Sequence, residues 1–179
     1  MNPLVIASMR RQAERRKLAM TLARINDPTG IRLTEVRDIR LASLLDYWSS
    51  KLQGRIMPAR RDIDPIEMKQ WLGNLMLIDF PPDPMQYRVR LDGVNLQQFY
   101  GASREGKGVE AMTSDEERRA VLPQYMIVLE RKAPAYYETQ FVTSEGVRTS
   151  QRKLLLPLSE DGERVNMILA GLYFDRVQY

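Results

Sequence analysis

Apolar and polar positions recur along this chain with two periods, and the change from one to the other marks its elements. Over residues 35–53 the apolar positions are Val36, Ile39, Leu41, Leu44, Leu45, Trp48 and Leu52. Spacings of three and four dominate, which predicts an amphipathic helix with one broad stripe. Thr34 is its expected cap and Gly54 its stop, because a hydroxyl accepts a free backbone N–H and glycine enters the left-handed region without a Cβ clash. Asp64, Pro65 and Glu67 have capping-box spacing with proline at the first helical position, predicting a short helix over 65–72. An apolar run over 74–80 follows, broken by Pro81-Pro82-Asp83-Pro84. Residues 87–91 alternate and predict a strand with one wet face. Asp92-Gly93 turns the chain into a short helix over 95–100, stopped by Gly101. The loop 101–108 matches neither a P-loop nor a dinucleotide fingerprint. Ser114 and Glu117 then open a helix over about 115–132 with a kink expected at Pro123.

Three strands complete the pattern, over 135–143, 147–158 and 164–174. Their connectors, Ser144-Glu145-Gly146 and Ser159-Glu160-Asp161-Gly162, are turn-like, so the strands form an antiparallel meander. Two strands, over 75–80 and 167–174, are apolar on both faces. Such strands are covered on both sides and belong in the middle of a sheet. The expected class is α+β, with helices on both faces of an antiparallel sheet.

Charge divides the chain. Residues 1–40 carry a net charge of +5 and the rest a net of −1, within a total of +4. The basic cluster Arg10, Arg11, Arg15, Arg16 and Lys17 precedes the turn signal Asn26-Asp27-Pro28-Thr29-Gly30. The expected organisation is a basic N-terminal arm and linker over 1–33 and a domain over 34–179 that includes the lead-in helix. The arm reads as a solvated tail, as a helix docking an acidic partner or anionic surface, or, least favoured for want of aromatic stacking residues, as a nucleic-acid contact. No apolar run approaches the length of a membrane span, and Leu4 to Ala7 is too short for a signal-peptide core. Zero cysteines suit a reducing compartment, so the expected location is cytoplasmic.

Leu44, Tyr47 and Trp48, followed by Met57, Pro58, Arg60, Asp62 and Pro65, give the stretch 44–65 a specific character. It resembles a PAS-like family of bacterial sensor proteins, with a Leu-x-x-Tyr-Trp lead-in and a Met-Pro-x-Arg-x-Asp-x-x-Pro segment. Arg90 and Gly93 fit the family's Arg-Leu-x-Gly. The resemblance extends through residues 152–158 and Asp161-Gly162, and covers about 40–174. It implies a PAS-like five-stranded antiparallel sheet with the first and fifth strands side by side, helices on both faces, and N-terminal helices ahead of it. It also implies pairing of two copies through flanking helices, which would place Leu41, Leu44 and Trp48 at an interface. The competing reading is that this stripe covers the chain's own sheet.

The absence of histidine and cysteine removes the usual general base and the best nucleophile, so an enzyme is not expected. It also argues against histidine-ligated haem, a cysteine-linked flavin and a cysteine-linked chromophore; the cofactor is left unassigned. A ligand pocket is expected between the sheet and the helix 115–132. Its candidate residues are Arg90, Tyr137, Phe141, Ser150 and Arg152. An arginine at an apolar edge can clamp an anion bidentately, although pairing with a surface carboxylate is its commoner use. The function expected is a non-catalytic sensory and interaction module that relays a signal through protein–protein contacts on binding a small ligand. The alternatives are a constitutive localisation or scaffold protein without ligand, and a nucleic-acid-binding regulator using the basic arm. Expected partners are a second copy, an unidentified signalling protein and a small molecule.

Overall fold

The computed structural model describes residues 26–27, 30–33, 35–108, 115–143 and 146–176. Among these residues seven strands form one antiparallel sheet: β1 (Asn26–Asp27), β2 (Gly30–Leu33), β3 (Leu75–Asp79), β4 (Arg88–Asp92), β5 (Ala135–Val142), β6 (Arg148–Leu158) and β7 (Met167–Arg176). Their spatial order is β1-β2-β5-β6-β7-β3-β4. Among the described residues the α-helices are α1 (Ile39–Ser50), α2 (Val94–Tyr100) and α3 (Asp115–Arg131). The expected five strands are β4-β3-β7-β6-β5, with the first and last of them paired: Leu75 lies opposite Gly171 and Asp79 opposite Met167. Both are buried almost throughout, as continuous apolar runs require when helices or loops cover both faces. The short β1–β2 hairpin is an addition. Residues 30–33, expected as linker, pair with β5 through Ile31↔Glu138 and Leu33↔Tyr136. The basic cluster and any helix preceding the hairpin lie outside the described residues.

Helix α1 starts four residues later than its sequence pattern suggests. Asp38, not Thr34, is its cap: one carboxylate oxygen accepts the backbone N–H groups of Arg40 at 2.9 Å and Leu41 at 3.3 Å. A carboxylate outcompetes a hydroxyl here because it also favours the positive end of the helix dipole. The helix ends at Ser50, ahead of Gly54, which lies in the left-handed region with φ 83°. The expected helix over 65–72 is a chain of turns closing in a single 3-10 turn, Leu72–Asn74. One helical turn does not repay its nucleation, and this segment is instead tied to α1. The Tyr47 hydroxyl accepts the Asp64 N–H at 2.9 Å, and Trp71 Nε1 donates to the Arg40 carbonyl at 3.0 Å. Helix α3 continues on both sides of Pro123.

The two faces of the sheet are covered differently. On the outer face, α1 lays Leu41 and Leu44 over Gly171, and Trp48 Nε1 donates to the Pro157 carbonyl at 2.9 Å. The inner face is covered by α3, whose Tyr125 ring packs edge-on against Phe80 and Tyr87, both at 5.6 Å. Along β3 and β4 these rings share the inner alternation with Met76, Ile78 and Val89. Helix α2 fills the corner beside β7 that β3 does not reach, and its Phe99 stacks on Phe174 at 3.7 Å.

Candidate functional site

Register decides which of the expected site residues meet. Tyr137 lies opposite Lys153, and Glu138 opposite Arg152. Successive residues of a strand point to opposite faces, so Tyr137 and Phe141 face inward while Ser150 and Arg152 face outward. The five expected ligand residues therefore do not form one site. Arg90 stands apart from both groups, on the exposed strand β4, where its Nε donates to both Asp79 oxygens at 2.8 and 3.0 Å. Leu41, Leu44 and Trp48, expected at an interface between copies, are 0%, 0% and 1% exposed. They cover their own sheet and offer no surface to a second chain.

Arg152 joins an outer cluster built on the cap of α1. Asp38 Oδ1 accepts Arg40 Nε at 3.0 Å and Asp38 Oδ2 accepts Arg40 Nη2 at 2.6 Å, a bidentate pair. Arg152 Nη1 reaches Asp38 Oδ2 at 3.4 Å and donates to Asp175 Oδ2, which Arg40 also approaches at 3.4 Å. The Arg40 guanidinium rests on the Tyr173 ring, 3.8 Å from its centroid. Burial pushes the Asp38 carboxyl up, but the bond and charge of Arg40 and two backbone N–H groups outweigh it and hold the carboxyl below its usual range. Close by, Tyr136 donates to Glu138 at 2.7 Å, and burial followed by that bond raises its phenol. This cluster ties β6, β7 and the start of α1 together. Each charge in it has an opposite charge beside it, so it reads as a structural latch.

Beside the latch, Ile39, Arg40, Ser43, Gln70, Trp71, Asn74 and Tyr173 line an open depression of about 360 Å³. Ile39 stands at its lip, 82% exposed.

The inner face carries polar groups that the sequence reading missed. Lys153 and Thr149 of β6, Gln124 of α3 and Asp92 of β4 are all buried. The Lys153 ammonium lies 6.0 Å from the centroid of the Tyr137 ring. Gln124 belongs to the stripe Val121, Gln124, Tyr125 and Val128 that α3 turns to the sheet. That stripe offered a signal, since a glutamine at a core spacing is conspicuous. Lys153 offered a weaker one: it precedes an apolar run and occupies the inward alternation. Further along this face, Phe99, Tyr100, Phe141 and Phe174 form an aromatic cluster, with the Arg104 guanidinium 3.4 Å from the Tyr100 centroid.

The segment 57–65 is accounted for by the fold. Met57 and Ala59 are fully buried, Asp62 accepts the Ala59 N–H at 2.7 Å, and the Pro58 carbonyl accepts the Ser159 N–H at 2.9 Å. Among the described residues no group of carboxylates has the arrangement of a metal site, and no helix is long and apolar enough to cross a membrane.

No curated protein matches the chain. Among solved structures it is similar to a light-oxygen-voltage domain studied with a flavin analogue, at 14% identity and a TM-score of 0.45, covering 63% of this chain and 83% of that one. It is also similar to a light-oxygen-voltage protein of Rhodobacter sphaeroides, at 11% identity and a TM-score of 0.44, covering 63% of this chain and 68% of that one. A PAS domain of a Colwellia psychrerythraea protein shows 9% identity and a TM-score of 0.42, covering 64% and 98%. Likeness of this order speaks for neither ligand nor partner. The sequence profile of the PAS domain matches residues 36–173. With that profile reaching from the cap of α1 into β7 across the five core strands, and with those strands in the order described, the chain belongs to the PAS domain family.

Proposed function

We propose that this PAS domain is a non-catalytic sensory and interaction module, cytoplasmic in a bacterium, whose inner face holds a small ligand and whose outer flank contacts a protein. The carrying observation is the polar content of the layer beneath α3. Gln124 is 2% exposed and Asp92 6% exposed within an otherwise apolar interior, and one side-chain oxygen of each has no donor among the described residues. Burying such groups costs free energy that packing alone does not return, and a ligand that bonds them offsets that cost. The latch supplies the route outward. A ligand that shifts β6 or β7 on one face moves Arg152 and Asp175 on the other, and with them the start of α1. The depression beside Ile39 lies at that end and is the contact surface for a partner.

Native mass spectrometry of protein purified without denaturant tests this reading. The expected spectrum shows a mass above that of the polypeptide which is released on unfolding. A bare polypeptide at every step of purification would sink the resident-ligand reading. It would favour the scaffold alternative, for which the exposed Ile39 side chain is the specific support.

A further inference from the structure

Three elements converge on the depression beside Ile39: the start of α1, the turn segment that ends at Asn74, and β7. Two of the donors that line it are unspent. Arg40 gives Nε and Nη2 to Asp38, and Nη2 also approaches Asp175, but Nη1 has no acceptor among the described residues. The Arg40 side chain is 40% exposed. Tyr173 is 9% exposed, and its hydroxyl has no hydrogen-bond partner among the described residues. Because the guanidinium lies on the Tyr173 ring, the two donors stand close together, and the latch holds them there. Beside them are apolar walls, the Ile39 side chain and the Trp71 indole, whose own N–H is spent on the Arg40 carbonyl.

The chemistry of this set selects an occupant. A group that meets a guanidinium edge and a phenol hydroxyl together must accept two hydrogen bonds. A carboxylate does so, and its bond to a charged donor is roughly twice as strong as a bond between neutral groups. The carboxylates of the latch do not oppose it. Asp38 and Asp175 are matched one to one by Arg40 and Arg152, and Lys69, exposed next to Gln70, leaves the approach positive. Ile39 and Trp71 suit an apolar side chain next to that carboxylate. The depression is open, with Ile39 82% exposed at its lip. Small ligands are held in clefts that bury most of their surface, so an open site is filled by groups carried on a larger body. We infer that the depression takes a carboxylate side chain flanked by an apolar one, both on a segment of a partner protein. This rests on the contact-surface reading given above and names the chemistry of that contact.

Two peptides that differ only in charge test it, acetyl-Leu-Asp-Leu-Glu-Leu-amide and its twin acetyl-Leu-Asn-Leu-Gln-Leu-amide. Each is titrated to millimolar concentration into the isotope-labelled full chain, and the backbone and indole N–H resonances are followed. The acidic peptide is expected to move the signals of Ile39, Ser43, Gln70 and the Trp71 indole, with roughly tenfold the affinity of its neutral twin. Tyr173→Phe keeps the ring under Arg40 and removes the hydroxyl. It is expected to weaken the acidic peptide by roughly threefold to tenfold and to leave the twin unchanged. Ile39→Glu puts a like charge at the lip, on a side chain exposed enough to leave the fold intact, and should abolish the preference for the acidic peptide. Equal binding of both peptides at these residues overturns the carboxylate while leaving the contact surface in place. No movement at these residues with either peptide overturns both. Movement of the same signals when the free protein is diluted, with light scattering showing a dimer, makes a second copy the occupant and overturns the assignment to a separate partner.

Discussion

Gly93 and Gly171 show how two glycines with ordinary backbones can be irreplaceable for reasons of space. Gly93 has φ −65°, open to any residue, but a Cβ there would lie 2.4 Å from the Gly73 carbonyl oxygen. Backbone cannot rotate away as a side chain can. At Gly171 the added atom would meet Leu41 and Leu44 methyl groups at 2.7 and 2.8 Å. Those are side-chain ends, yet both leucines are fully buried and have little room to yield. Gly93→Ala is therefore expected to cost about 3 kcal/mol and Gly171→Ala about 1–2 kcal/mol. Melting curves should show Gly93→Ala falling by roughly 6–12 °C, the larger loss of the two. An unchanged Gly93→Ala would mean that the turn into α2 does not approach Gly73 as described. The sequence marked Asp92-Gly93 as a turn, but the requirement for glycine comes from a strand end and a 3-10 turn meeting in space, which no local signal announces.

At the scale of elements, the α1 stripe, the alternation of β4 and the meander β5–β6–β7 were all legible, since each follows from the spacing of neighbouring side chains. The boundaries were not. Thr34 was the expected cap by residue type, while Asp38 does the capping and is held by Arg40 and Arg152. The arm boundary also shifts in meaning, because residues 30–33 add a strand to β5. Removing residues 1–25 is expected to leave the melting temperature nearly unchanged. Removing 1–33 strips β5 of its outer neighbour and is expected to lower the melting temperature by roughly 2–6 °C. Equal melting temperatures for the two truncations would show that β2 contributes nothing to the body.

For the molecule as a whole, the open question is what meets the flank of α1. Burial separates two substitutions that the sequence treats alike. Leu41 is fully enclosed, so Leu41→Glu puts a carboxylate against β7 and is expected to cost about 4 kcal/mol or more, with loss of the fold. Ile39 is 82% exposed, so Ile39→Glu should change stability by no more than about 0.5 kcal/mol. If two copies pair through this flank, Ile39→Glu yields a folded monomer where the wild type is a dimer. Light scattering over a range of concentrations, beside thermal melts, reads both effects. A wild-type monomer throughout would end the self-association reading, and a dimer unaffected by Ile39→Glu would move the interface elsewhere.

Sequence by itself determined the types of the three α-helices and the five core strands, the central position of the two doubly apolar strands, and the PAS character of the chain. These depend on periodicity, on turn chemistry and on a motif whose residues are local to one another. Only the tertiary structure decided which side chains share a face. A strand's two faces differ by a single residue of register, and periodicity within one strand says nothing of its neighbour's phase. So Arg152 and Tyr137, grouped in one site from the sequence, lie on opposite sides of the sheet. Arg152 closes a latch with Asp38 and Asp175, and Lys153, the very next residue, enters the interior with Gln124 and Asp92.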